Sequence, residues 1–338
     1  ISGAGRFHIV NGRVNFSGNV SNAGGFLIGD QGFTAKVAFT GTGSGSGAML
    51  ISGGNSNTMS YEAGALQSGP ISVWNSSAGT APQIIPLENS TINNQIILGI
   101  GSKPGEEGNA TANVGAGITA EWAGPLSGFS PLTKIGTGAL VLSSASSTHT
   151  GAVAVNAGTL KVNGVLPSSS VTVASGATLG GTGTASGNVT VNSGGIIAPG
   201  SSIGTLGTGN LSIAGSYEDE IDVGGGLADL LNVSGTVGLS NATLNLLAMN
   251  LPILGGGGIY LLILNDGVDS VAGTFSTISG LPPDYTASIE YAYSGTDSLG
   301  RVGDGNDVAV TLIPEPSTAV ILLALAGGAL VRRRVRGR

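Results

Sequence analysis

Gly151-Ala-Val-Ala-Val-Asn-Ala-Gly158, Ser169-Ser-Val-Thr-Val-Ala-Ser-Gly176 and Gly187-Asn-Val-Thr-Val-Asn-Ser-Gly194 align without gaps at a spacing of 18 residues. Val153, Val171 and Val189 superpose, as do Val155, Val173 and Val191, and Gly158, Gly176 and Gly194. Each copy places β-branched residues at alternate positions, the two-residue period of a strand. A small residue and a glycine follow, and glycine takes the positive φ of a sharp corner without steric cost. Looser copies come at intervals of 22, with Asn188-Val-Thr-Val echoed by Asn210-Leu-Ser-Ile and Asn232-Val-Ser-Gly. Ile135-Gly-Thr-Gly-Ala-Leu-Val-Leu142 resembles Leu206-Gly-Thr-Gly-Asn-Leu-Ser-Ile213 in the same way. A unit of this length cannot bury its own apolar side. Stacking copies at about 4.8 Å makes a continuous core and pairs every backbone amide with the coil above or below. The expected fold is all-β, a parallel, right-handed β-solenoid. A sandwich of hairpins is the competing arrangement, disfavoured by the nearly fixed interval.

The composition agrees. Glycine makes up 61 of 338 residues, which penalises helix interiors, and there is no G-X-Y register for a collagen helix. The hydrophobic fraction is 41% with 9% charged residues, too apolar for a disordered chain. Aromatics are only 4%, so the core is expected to be thin layers of Val, Ile, Leu and Ala. The absence of cysteine removes disulfides and thiolate chemistry. Twelve Lys and Arg against 19 Asp and Glu give a net charge of −7, and five of the cations fall in the last seven residues. The remaining acidic body argues against nucleic acid as a partner, since phosphate binding requires Lys and Arg. The chain begins at Ile1, so an export signal is expected to have been removed or to lie outside this piece.

Four regions are expected. Residues 1–130 form an irregular N-terminal β or solenoid region, with strands around Val14, Phe16 and Val20 and around Phe33, Ala35, Val37 and Phe39. The Gly/Ser run from Gly41 to Gly47 reads as a turn or flexible loop, and residues 61–130, with Trp74 and Trp122, as less regular solenoid. Residues 131–250 hold the repeat solenoid. In residues 251–312, four strands near 259–264, 273–278, 285–293 and 307–312, joined by Asn-Asp-Gly, Leu-Pro-Pro-Asp and Asp-Gly-Asn turns, form a C-terminal β cap.

Residues 313–338 are the fourth region. Fifteen uncharged residues separate Pro316 from Arg332, and five arginines follow. A helix of that length spans about 22 Å, short of the roughly 30 Å hydrocarbon core, and snorkelling arginines with local thinning make up the difference. A buried terminal helix would leave the arginines without acidic partners in sequence. The positive-inside rule places the arginines in the cytoplasm and the body outside. Pro314-Glu315-Pro316, a short apolar helix and a terminal Arg cluster resemble the PEP-CTERM sorting signal of Gram-negative bacteria. The resemblance implies that Pro314, Glu315 and Pro316 are the motif read by a membrane-embedded exosortase. It implies that Thr318, Ile321, Leu322, Leu323, Leu325, Leu330 and Val331 anchor the chain in the inner membrane before processing. Arg332, Arg333, Arg334, Arg336 and Arg338 would be the cytoplasmic stop, and the mature protein would reside in the cell envelope, at the surface or outside the cell.

A second resemblance covers the middle. Leu132-Thr-Lys-Ile-Gly-Thr-Gly-Ala-Leu-Val-Leu-Ser143, Thr148-His-Thr-Gly151 and Val155-Asn-Ala-Gly-Thr-Leu-Lys-Val162 are similar to the autotransporter-associated β-strand repeat of bacterial surface passengers. Most relatives carry an aromatic where His149 stands, which implies a structural position. No strand series able to form the autotransporter's β-barrel follows.

Catalytic signals are sparse. The histidines, His8 and His149, are far apart in sequence, and no G-x-G-x-x-G or P-loop pattern occurs. Glu218, Asp219, Glu220 and Asp222 form the densest acidic group. On a strand, residues 218, 220 and 222 share one face about 7 Å apart, a geometry suited to glycan hydrolysis or lysis. Consecutive coils supply no aromatic platform or Arg nearby, so a solvated acidic face is the better explanation. Asp304 and Asp307, with Asp266 and Asp269, offer oxygen ligands to a hard cation but lack EF-hand spacing, and Asp-Gly turns account for them. No catalytic residue, metal or cofactor is therefore expected. The expected function is that of an exported, non-enzymatic surface or matrix protein, structural or adhesive, presenting a polar acidic rod to its surroundings. The resemblance to the PEP-CTERM signal implies exopolysaccharide, beside a neighbouring cell surface, as what it meets. The alternatives are a polysaccharide-active β-helix enzyme and an adhesin that uses residues 61–130.

Overall fold

The computed structural model describes residues 2–29, 34–52, 57–74, 81–99, 109–168, 170–251 and 257–315. Among them the chain is all-β and winds as a parallel solenoid with three faces. The first face is a twelve-stranded ladder running from Gly12–Phe16 through Leu132–Ile135, Val153–Val155, Ser170–Val173, Asn188–Val191 and Leu211–Ile213 to Ala272–Gly273. The second runs from Ser90–Ile92 through Gly158–Val162, Ala177–Gly181, Ile196–Pro199 and Ser216–Asp222 to Thr277–Ser279. The third is in two parts, a six-stranded sheet from Phe7–Ile9 to Leu126–Gly128 and a seven-stranded sheet beginning at Val165–Leu166.

The repeat register is the one the sequence implies. Val153 pairs with Val171 and Val171 with Val189, Val155 with Val173 and Val173 with Val191, all buried. Gly158, Gly176 and Gly194 turn the corner at φ 66°, 76° and 77°. The interior is one column of Val, Ile, Leu and Ala from rung to rung. It is not uniformly thin, because Phe7, Phe16, Phe26 and Phe39 stack at the N-terminal end with ring centroids 5.1 to 6.5 Å apart.

Several expectations are corrected. Asn232-Val-Ser-Gly is not a further copy of the first-face strand. Val233 lies on the third face, where Leu230–Val233 pairs with Thr205–Thr208, and Leu211 is instead matched by Val237. The two Gly-Thr-Gly echoes also separate, with Ala139–Leu142 on the second face and Leu211–Ile213 on the first. Turn segments of similar composition recur at different corners, so local similarity does not fix the face.

The Gly41–Gly47 run is no loose loop. Gly43 bridges to Val20, and a β-carbon at Gly41, Gly45 or Gly47 would strike the backbone of Gly18, Asn22 or Gly25. Glycine is there because backbone stacks on backbone. Phe33 lies outside the described residues. Residues 61–130 contribute strands to all three ladders, including Ile71–Trp74, Gln83–Pro86, Ala110–Asn113 and Thr119–Trp122. Connections of changing length hide the period there without interrupting the stack.

Beyond residue 250 the expected strand at 273–278 is two strands, Ala272–Gly273 and Thr277–Ser279, each continuing a parallel ladder. Gly258–Leu264, Val302–Pro314 and Tyr285–Thr296 then pair antiparallel. Their hairpin turns at 297–301, where Asp297 accepts hydrogen bonds from the amides of Leu299 and Arg301, and not at the Asp-Gly-Asn of 304–306.

Candidate functional site

The strand Ser216–Asp222 carries the acidic group, and its alternation divides it. Tyr217, Asp219 and Ile221 point inward and are fully buried, whereas Glu218, Glu220 and Asp222 lie on the outer side and are half-buried. In the adjoining rungs Lys161 pairs with Gly180 and Thr178 with Ile196, which brings Ala198 alongside Gly180. Gly180 and Ala198 lack long side chains, so the outer surface dips into an open groove of about 220 Å³ with Lys161 toward one end and Glu218 and Glu220 toward the other. Ser202 Oγ donates to Glu220 Oε2 at 3.3 Å, and Asn245 Nδ2 lies 3.5 Å from Glu218 Oε1. Asp222 is occupied by its own turn, accepting from Gly225 N at 2.7 Å and Asn250 Nδ2 at 2.9 Å, bonds that hold its carboxyl below the usual range. Of the four suspected acids, only Glu218 and Glu220 reach the groove.

Behind this surface is a buried polar network. The Tyr217 hydroxyl lies 2.5 Å from Asp219 Oδ2 and 2.8 Å from the Leu262 carbonyl oxygen. A phenol has one proton to donate, so if it serves the carbonyl, the carboxyl must donate to the phenol oxygen. Burial pushes Asp219 well above the ordinary carboxylate range, the direction that favours the protonated carboxyl. Asp229, 1% exposed, accepts from Gly204 N at 2.7 Å and Glu220 N at 2.9 Å, and burial raises it to about 7 despite those amides. Arg301 closes the cluster. Its Nε donates to Asp297 Oδ2 at 2.7 Å, its Nη1 to Asp229 O at 3.1 Å and its Nη2 to Leu261 O at 2.8 Å. The hairpin tip is thereby fastened to the last solenoid coils.

Asp229, Asp297 and Arg301 were not singled out from the sequence. One signal was available, since Arg301 is the only Lys or Arg between Lys161 and Arg332.

The other candidates are dispersed. His8 is exposed in Phe7–Ile9, while His149 is buried at the break between the two parts of the third face, with Nε2 2.9 Å from Ser130 O. Burial holds His149 below the usual imidazole range, which matches a neutral, structural ring. Both oxygens of Asp307 accept backbone amides, from Asn265 and Asp304 at 2.7 Å, and Asp266 accepts from Val268 N at 3.0 Å. Among the described residues no group of three His, Asp or Glu is arranged to hold a metal.

Pro314 ends the strand Val302–Pro314 opposite Tyr285, and Glu315 N donates to Asp284 O at 2.8 Å. Pro316, the apolar segment with Thr318, Ile321, Leu322, Leu323, Leu325, Leu330 and Val331, and Arg332, Arg333, Arg334, Arg336 and Arg338 lie outside the described residues. Among the described residues no helix is long and apolar enough to cross a membrane.

A family model described as passenger-associated-transport-repeat matches residues 132–162. A search of curated proteins finds no match to the chain. The matched span contains Leu132–Ile135, Ala139–Leu142, Val153–Val155 and Gly158–Val162, two successive rungs on each of the first two faces. A passenger-type repeat built into a parallel β-solenoid fits an exported, passenger-like surface protein.

Proposed function

We propose that this chain is a non-enzymatic surface or extracellular-matrix protein, structural and adhesive in action, delivered through its PEP-CTERM-like tail by an exosortase. The observation that carries this reading is the first-face ladder, in which twelve strands stack in parallel over a continuous apolar core. A column of that kind is stiff, and its outer faces present hydroxyl and amide groups from rung to rung, such as Asn188, Asn210 and Thr236, to exopolysaccharide or a neighbouring cell surface. The antiparallel strands near the C-terminus serve as the cap that keeps the last coil from pairing with other chains. Glu315 N donates to Asp284 O of the folded body and the apolar run follows in sequence, an order that supports the sorting reading.

Cells producing the full chain and a Pro314→Ala/Pro316→Ala variant are fractionated. The variant is expected to remain in the inner membrane while the parent reaches the surface or medium, and an identical distribution refutes the sorting assignment. The groove supports a second reading, a polysaccharide-active enzyme using Glu218 and Glu220. Reproducible release of reducing or unsaturated ends, abolished in Glu220→Gln, would establish it. Deletion of residues 61–130 is disfavoured as a test of the adhesin alternative, because those strands belong to the common stack.

A further inference from the structure

Gly12–Phe16 and Ala35–Phe39 pair in parallel with Arg13 directly beside Lys36. Val37 and Phe39 fill the core, and both cations stand exposed on the outer side. Two like charges held one rung apart, about 4.8 Å between strands, destabilise the ladder. Among the described residues this is the only register pair that joins two charged side chains, and neither cation makes a hydrogen bond or ion pair. The contrast with other charges is plain. Glu121, in the same kind of position, is flanked by Thr91 and Val141 and accepts from the hydroxyls of Thr91 and Ser143. Lys134 is satisfied by three carbonyls and Arg301 by Asp297.

The pair borders an open depression of about 490 Å³, whose lining includes Asn15, Thr58, Ser60 and Ile85. Lys36 is followed by Thr58 on the next rung, and Ala38 by Ser60, so the cations continue into hydroxyls along the solenoid axis. The wider charge distribution points the same way. Residues 1–61 carry three cations and one acid, a net +2, whereas residues 62–315 carry four cations and eighteen acids, a net −14. An anion is repelled by most of the molecule and attracted to this end.

We propose that the outer surface around Arg13 and Lys36 binds an anionic polysaccharide, a linear chain bearing carboxylate or sulfate groups. The two cations neutralise successive anionic groups, and Asn15, Thr58 and Ser60 hydrogen-bond to sugar hydroxyls. Two cations are few for a nucleic-acid duplex, and no aromatic ring lines the depression for base stacking. This deepens the matrix reading by naming a ligand class, but binding by the purified protein does not depend on the sorting tail. Failure of one is therefore distinguishable from failure of the other.

The test measures binding of the purified full chain to polygalacturonate, a sulfated galactan and neutral dextran, with single-stranded DNA, anionic vesicles and self-association as further arms. Binding to one or both acidic glycans, absent for dextran and weakening with salt, is expected, and the two glycans separate carboxylate from sulfate recognition. Arg13→Gln/Lys36→Gln is expected to lose at least tenfold in affinity while unfolding at the same or a higher temperature, because a repulsion has been removed. Arg13→Lys/Lys36→Arg is expected to retain binding. The proposal is overturned if no acidic glycan binds, if the Gln pair binds as well as the parent, or if dextran binds equally. It is likewise overturned if the cations instead govern binding to DNA or vesicles, or dimerisation through the acidic surface of a second copy.

Discussion

Lys134 and His149 both lie within the segment that matches the passenger-type repeat, and each is a basic side chain enclosed by the solenoid. Lys134 Nζ donates to the carbonyls of Ile135 at 3.0 Å, Gly136 at 2.8 Å and Ala157 at 3.1 Å, clasping the corner between the first two faces. Lys134→Met keeps much of the volume but leaves those carbonyls without the donor. It is expected to destabilise the protein by about 2–3 kcal/mol, measured by urea unfolding at pH 7. Burial draws the lysine down to about 8 from its ordinary 10.5. Between those values the unfolded chain binds the proton more tightly than the native one, so this residue's contribution to stability rises with pH from about 8 to 10.5. His149 acts with the same sign at lower pH. Its value is held below 6.5, so stability falls as pH drops through 6.5 and the unfolded chain takes up a proton. His149→Phe is expected to match the parent at pH 7 and to lose less stability at pH 5. Equal losses in both proteins would remove His149 as the cause.

Among the elements, the N-terminal corner and the acidic strand show what patterning conveys and what it omits. Alternation in Ser216–Asp222 told which acids share a side, and Glu218 and Glu220 do emerge together in the groove. It did not tell that the side between them would be inward, leaving Asp219 buried against Tyr217. The Gly41–Gly47 corner reads as flexible because glycine serves both freedom and close approach, and only the neighbouring coil separates the two. Gly45→Ala or Gly47→Ala would drive a methyl group into the backbone of Asn22 or Gly25. Each is expected to cost about 1–3 kcal/mol and to lower the unfolding temperature, whereas alanine at Gly64, whose site is open, acts only through its φ of 70°.

For the whole molecule, the middle coils and the C-terminal coils respond to pH in opposite ways. Asp219 and Asp229 have raised values, Asp229 about 7, so the native state holds protons that the unfolded chain releases above about 3.8. Their contribution is fully present below 3.8 and is lost as pH rises, through about 7 for Asp229, opposite in sign to Lys134 and His149. Hydrogen exchange, corrected for the intrinsic rate, is expected to show strands Leu230–Val233 and Gly258–Leu264 losing protection between pH 5 and 8. Residues 132–162 are expected to hold or gain protection across the same interval. Arg301→Gln, which removes the fastening of hairpin to coil, is expected to loosen the first region selectively.

The rung itself is written in the chain, because two-residue alternation ended by a corner glycine determines a short strand and a turn before any partner is present. That is why Val153, Val171 and Val189 could be aligned, and why an acidic, cysteine-free, aromatic-poor chain could be assigned to stacked strands. Which rung lies over which was decided only in three dimensions. Coils differ in length, Val153 and Val171 being 18 residues apart but Leu211 and Val237 26, so spacing along the chain loses register while stacking of backbone and core restores it. The same restoration sets Arg13 beside Lys36 and brings Arg301 to the carbonyl of Asp229, contacts between residues that no local pattern connects.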